Sequence, residues 1–74
     1  MADQELDVRG LNCPLPILKT KKAINTMQSG QTIQVLATDP GSMLDFKAFA
    51  VQSGHELLEA VETAGVFRFL LKKT

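Results

Sequence analysis

HELLEAVETAGVFRFLLK, residues 55–72, is ambiguous over its first half and clear over its second. Leu57, Leu58 and Val61 suit a helical stripe, whereas Leu57, Glu59 and Val61 suit an extended segment. From Val66 to Lys72 the chain sets Phe67, Phe69 and Leu71 against Arg68 and Lys72, which is a strand pattern. The link Thr63-Ala64-Gly65 is hairpin-like in length and composition. The two segments, His55–Glu62 and Val66–Lys72, are therefore read as antiparallel strands.

Moving toward the N-terminus, Asp39-Pro40-Gly41-Ser42 is a break followed by helix-start chemistry. The helix after it runs to about Ser53, with Met43, Phe46, Phe49 and Ala50 on its apolar face. Ser42 and Asp45 stand at capping-box-like spacing and Gly54 is the stop. Thr32–Thr38 alternates through Ile33, Val35 and Ala37 and reads as a strand. Before it, Pro14 to about Gln28 repeats Ile17, Leu18, Ile24 and Met27 at helical spacing, with Gly30 as the stop. Glu5–Arg9 alternates as a short first strand, and Gly10 turns the chain. The order β-α-β-α-β-β with right-handed crossovers predicts an α/β fold of the α+β two-layer sandwich type. Both helices lie on one face of a four-stranded mixed sheet.

Seventy-four residues suffice for one domain, 1–74, and leave no volume for a cavity between lobes, so function is expected at the surface. Eight basic and eight acidic residues give a formal net charge of zero, which argues against nucleic acid as a direct partner. Met1–Glu5 carries two acids and no apolar run, and no segment reaches membrane-spanning length. A cytoplasmic monomer with no membrane partner is expected. The single cysteine excludes an internal disulfide and a Cys-x-x-Cys pair, so any covalent chemistry of Cys13 involves a second molecule.

Cys13 stands in Gly10-Leu11-Asn12-Cys13-Pro14-Leu15-Pro16. Pro14 suits the first helical position, which makes Cys13 the N-cap and Pro16 the third helical residue. A helix N-terminus favours the thiolate. With two prolines removing amide donors, the Leu15 N–H is the main donor expected for that anion, and its stabilisation is expected to be moderate. The alternative is a small buried cysteine acting as core, which the loop-helix junction disfavours.

These residues resemble the signature of the TusA family of sulfur carriers, also called SirA-like. The resemblance rests on Asp7, Gly10, Leu11, Cys13, Pro14, Pro16, Lys19 and Lys22, and extends through Gly30, Asp39-Pro40, Asp45, Gly54 and Phe67-Arg68-Phe69. Phe49 stands where many relatives carry Trp. The resemblance implies the same sandwich, akin to the C-terminal domain of a translation initiation factor. It also implies sulfurtransferase chemistry without a cofactor: Cys13 receives sulfane sulfur as a persulfide from a cysteine desulfurase or rhodanese-type donor. The sulfur then passes to a cysteine of an acceptor such as a DsrE-type protein. Thiouridine formation in tRNA, molybdenum-cofactor maturation and sulfur-compound oxidation stay open as destinations.

Arg9, Asn12, Lys19 and Lys22 are candidates for partner docking, with solvated polar surface as the alternative. Lys21 and Lys47 belong to the same group of surface cations, and Lys19 is also a candidate for raising the thiolate content of Cys13. Asp39 and Asp45 are assigned to capping the second helix, and His55 to a surface turn. Phe46, Phe49, Phe67 and Phe69 are assigned to the core. A redox-regulatory or protein-interaction module without sulfur transfer is the competing function.

Overall fold

The computed structural model describes residues 2–74. It contains β1 (Gln4–Asp7), α1 (Leu15–Asn25), β2 (Thr32–Ala37), α2 (Ser42–Ser53), β3 (Glu56–Thr63) and β4 (Val66–Lys72). The sheet runs β1-β2-β4-β3. β1 and β2 are parallel, and β2 with β4 and β4 with β3 are antiparallel. This is the expected mixed four-stranded sheet. α1 is shorter than its apolar repeat predicts, since the chain leaves the helix after Asn25 while Met27 is still buried.

Alternation decides which face of the sheet is covered. Ile33, Val35 and Ala37 of β2 and Phe67, Phe69 and Leu71 of β4 are buried beneath the helices. From α2 come Phe46, Phe49 and Ala50, and from α1 Ile24; Met27, just past α1, and Val8 complete the cluster. Phe46 stacks on Phe69 with ring centroids 4.2 Å apart and 11° between planes. Burying one such side chain is worth roughly 1.5–3 kcal/mol, whereas an exposed ion pair such as Arg68–Glu59 contributes about 0–1 kcal/mol. Packing, not surface charge, holds the layers together. Leu18 departs from expectation: it is 54% exposed, because the buried line of α1 runs through Pro16, Thr20 and Ile24.

The β3–β4 connection is a two-residue turn between paired Thr63 and Val66, with Ala64 at φ +51° and Gly65 at φ +81°. Both signs are those of a type I′ hairpin turn. Glycine meets this at no steric cost, but an L-residue with a Cβ does not. Ala64→Asn, which suits the left-handed region, should therefore raise stability by about 0.5–1 kcal/mol in denaturant unfolding. An unchanged or lower midpoint would contradict this account of the turn.

Ser42 is 1% exposed and its hydroxyl has no hydrogen-bond partner among the described residues. Leaving such a group unpaired costs about 1–3 kcal/mol. Ser42→Ala is accordingly expected to stabilise the fold by about 1 kcal/mol, read from the same unfolding curves.

Candidate functional site

Cys13 lies on the loop between β1 and α1, and that loop is tied down along its length. The Val8 N–H donates to the Leu36 carbonyl at 2.8 Å, carrying the parallel pairing past β1. Gly10 adopts φ +83°, which its lack of a Cβ permits, and its N–H donates to Thr38 Oγ1 at 2.8 Å. Leu11 N–H returns to the Val8 carbonyl at 3.2 Å, and Leu15 N–H to the Asn12 carbonyl at 2.9 Å. The Cys13–Pro14 peptide bond is cis. The exposed sulfur is thus carried on a braced segment anchored to β1 and β2.

The start of α1 corrects the sequence reading by one residue. Pro14, at φ −96° and ψ 13°, is the N-cap residue and Pro16 occupies the second helical position, so Cys13 stands outside the cap. No side chain caps this helix. The donor expected to serve the thiolate, Leu15 N–H, is already held by Asn12. Pro16 itself is buried, and Thr20 Oγ1 donates to its carbonyl at 2.8 Å.

What the sulfur faces instead is acid. A shallow cleft of about 230 Å³ between α1 and α2 is lined by Cys13, Pro14, Ile17, Asp45, Ala48, Phe49 and Gln52. Sites for drug-sized molecules usually enclose about 300–1,000 Å³, so this cleft suits a side chain or a loop tip better than a substrate to be engulfed. Asp45 reaches it because Phe46 faces the sheet, which turns the adjacent position toward α1. The expected capping box is not formed: Gly41 is the N-cap of α2 and no side chain caps it. Asp39 Oδ2 accepts the Gly41 N–H at 3.1 Å, bracing the loop before the helix rather than the helix end. A Cβ placed on Gly41 would lie 3.2 Å from Asp39 Oδ2 and 3.6 Å from Asp45 Oδ2, so the two carboxylates converge above this residue.

Their effect on Cys13 opposes the expected one. The Asp45 carboxylate, which favours the protonated thiol, comes first, then partial loss of hydration, then the negative charges of Asp45 and Asp39. Together these push the thiol above its ordinary value of 9.0. A helix terminus contributes about 0.3–1 kcal/mol and acts within one turn. Cys13 lies beyond the cap, and the carboxylates prevail.

The other predicted residues are dispersed around this cleft. Arg9 is held by Asp7, with Nη2 to Oδ2 at 2.8 Å and Nε to Oδ1 at 2.9 Å, which brings the Asp7 carboxyl down to about 2. Asn12 is exposed beside the cysteine, as are Pro14 and Leu15. Lys19 and Lys22 line a separate recess with Leu6, Ala23 and Thr26, on the β1 side of α1. Lys21 borders the recess that continues the cleft along Ile17, Leu18 and Phe49. His55 is half-buried, accepts the Thr74 N–H at 3.3 Å and tilts against Phe49. Ala48, Phe49 and Gln52 were not legible as site residues, and Asp45 read as a cap. Only the packing of α2 against α1 assembles them.

Residues 4–73 match the family described as Sulfurtransferase TusA. The chain belongs to the TusA family. It is 62% identical over 72 residues to the sulfur carrier protein TusA of Allochromatium vinosum, covering 97% of this chain and 95% of that protein. The crystal structure of a SirA-like protein from Desulfitobacterium hafniense superposes with a TM-score of 0.82 at 25% identity, covering 93% of this chain and 95% of that one. Within this TusA-family fold, Cys13 should resist alkylation at neutral pH. Its rate of reaction with iodoacetamide should rise with a midpoint above pH 9.0, and a midpoint below that value would remove the carboxylates as the dominant influence.

Proposed function

We propose that this protein is a sulfur carrier that holds transferable sulfur as a persulfide on Cys13. The observation that carries this reading is the placement of a lone, exposed cysteine on a braced loop at an open cleft. Such a sulfur can be approached by the active-site loop of another protein, and no second cysteine competes for the sulfur by forming an internal disulfide.

Loading balances without an external oxidant. The Cys13 sulfur, as thiolate, attacks the outer sulfur of a donor protein's persulfide. The donor's S–S bond breaks and its inner sulfur departs with the electron pair as a thiolate. The proton given up by Cys13 passes through solvent to that departing thiolate. Delivery repeats the exchange in the other direction: an acceptor thiolate attacks the outer sulfur on Cys13, and Cys13 leaves as thiolate. A cysteine desulfurase or a rhodanese-type enzyme is the donor class, and a protein with a reactive cysteine, such as a DsrE-type protein, is the acceptor class. The protein acts as a monomer in the reducing cytoplasm, where an unpaired thiol persists. Pro14, Leu15 and Pro16 set the course of the chain at the sulfur, and Arg9, Asn12, Lys19 and Lys22 offer polar contacts to partners.

Intact-mass analysis after incubation with a cysteine desulfurase and cysteine, or with a rhodanese and thiosulfate, tests this. The protein should gain one sulfur atom that reductant removes, and Cys13→Ser should gain none. Absence of the adduct with both donors would exclude the relay, and oxygen adducts alone would favour a redox switch.

A further inference from the structure

We propose that Asp45 gates Cys13: its carboxylate, across the α1–α2 cleft from the sulfur, keeps the free carrier unreactive, and a cationic side chain of the docking protein frees the sulfur by pairing with that carboxylate. The inference deepens the relay reading and rests on it for the docking protein, while the effect of Asp45 on the free thiol does not depend on sulfur transfer.

Three features of the cleft support it. Asp45 is half-buried and its carboxylate has no cationic partner or N–H donor among the described residues, whereas Asp39 is engaged by the Gly41 N–H and Asp7 by Arg9. An acid used for helix capping would be occupied by backbone donors, and α2 has no side-chain cap. Apart from Gln52, the walls that Asp45 shares with Cys13 are Pro14, Ile17, Ala48 and Phe49, apolar groups that weaken the screening of charge between them. Outside the cleft, apolar side chains also stand exposed on both helices: Leu15 and Leu18 are 46% and 54% exposed on α1, and Leu44 and Val51 76% and 83% exposed on the outer side of α2. A protein docked over the cleft would exclude water from it and leave Asp45 without hydration unless it brought a positive charge.

The charged groups around the sulfur are one-sided. From α2 and the loop before it come Asp45 and Asp39, both negative, and both raise the thiol. On α1, Lys21 borders the adjoining recess rather than the cleft, and Lys19 and Lys22 lie along the β1 side. Among the described residues no cation lines the cleft itself. The cation that balances Asp45 must arrive with the partner, which fits a protein whose reactive cysteine is neighboured by lysine or arginine. Pairing Asp45 with that cation neutralises the charge that opposes the thiolate. Cys13 then ionises in the complex and not before it, which protects the waiting thiol from oxidants and stray electrophiles.

Two measurements on the full chain test the gate. In the first, wild type, Asp45→Asn and Asp45→Glu are alkylated with iodoacetamide across pH 6 to 10, with circular dichroism confirming the fold. Asp45→Asn should gain more in thiolate than it loses in intrinsic nucleophilicity, so it should react severalfold faster near neutrality. Its profile should shift to lower pH, and Asp45→Glu should behave like wild type. Equal rates and profiles for wild type and Asp45→Asn would overturn the gate, whatever the loading assay shows. In the second, sulfur is loaded from a cysteine desulfurase. The order should reverse, with Asp45→Asn loaded more slowly than wild type because the donor's cation has lost its pair. Faster loading of Asp45→Asn by the same factor as its alkylation would overturn release by the partner. If neither wild type nor variant gains sulfur from the desulfurase or from a rhodanese with thiosulfate while the alkylation difference stands, the relay reading fails and the effect of Asp45 on the free thiol survives.

Discussion

The stack of Phe46 on Phe69, 4.2 Å between centroids, fixes the rotation of α2 on the sheet. With Phe46 and Ala50 buried against the strands, successive 100° steps around the helix place Asp45, Ala48, Phe49 and Gln52 along the side that meets α1. Leu44 and Val51 are left on the outer side. The parallel β1–β2 pairing fixes the other half, because it ends where Val8 and Gly10 lash the cysteine loop to Leu36 and Thr38. The sulfur and the carboxylate come from segments about thirty residues apart, yet each is placed by buried contacts that tolerate little adjustment.

This arrangement changes the meaning of a cysteine near a helix start. The usual inference is that helix amides and the macrodipole draw out a thiolate. Here the two prolines thin the amides, Asn12 engages one that remains, and Cys13 stands one residue too early to cap. Opposite it stand acids. A carrier gains from such a balance, since a thiolate that is strongly stabilised leaves readily but attacks poorly, while a protonated thiol does neither. A thiol whose ionisation is suppressed in the free protein retains full nucleophilicity once it is released.

Much of the fold was legible from the chain because period-two alternation in Thr32–Ala37 and Val66–Lys72 and the stop at Gly54 are local signals, whereas Gly30 is not a helix stop, since α1 ends at Asn25 with Thr26 as its C-cap. The hairpin was legible for the same reason, as was the attribution of four phenylalanines to the core. The site was legible only as far as Cys13 and its prolines. Pro14 invites the first helical position, but its backbone lies outside the helical region and the helix begins at Leu15. Leu18 keeps the helical spacing of a core residue although the packed line passes through Thr20, a polar residue whose hydroxyl is satisfied by the Pro16 carbonyl. Asp45 carries every local mark of a capping acid. Only the rotation imposed by Phe46 turns it toward sulfur.

The same logic separates the two flanks of α1. Lys19 and Lys22 lie on the β1 side and Lys21 beside the recess that continues the cleft, so the lysines of one helix serve different neighbourhoods. Positive charge on the β1 flank and negative charge in the cysteine cleft give a neutral chain a polarised surface, despite a formal net charge of zero. Charge complementarity acts mainly on encounter and on the rejection of wrong partners. A partner that aligns with both flanks must present acid toward Lys19 and Lys22 and base toward Asp45. A protein with the opposite pattern would set like charges against both flanks, and that discrimination would operate before any sulfur moves.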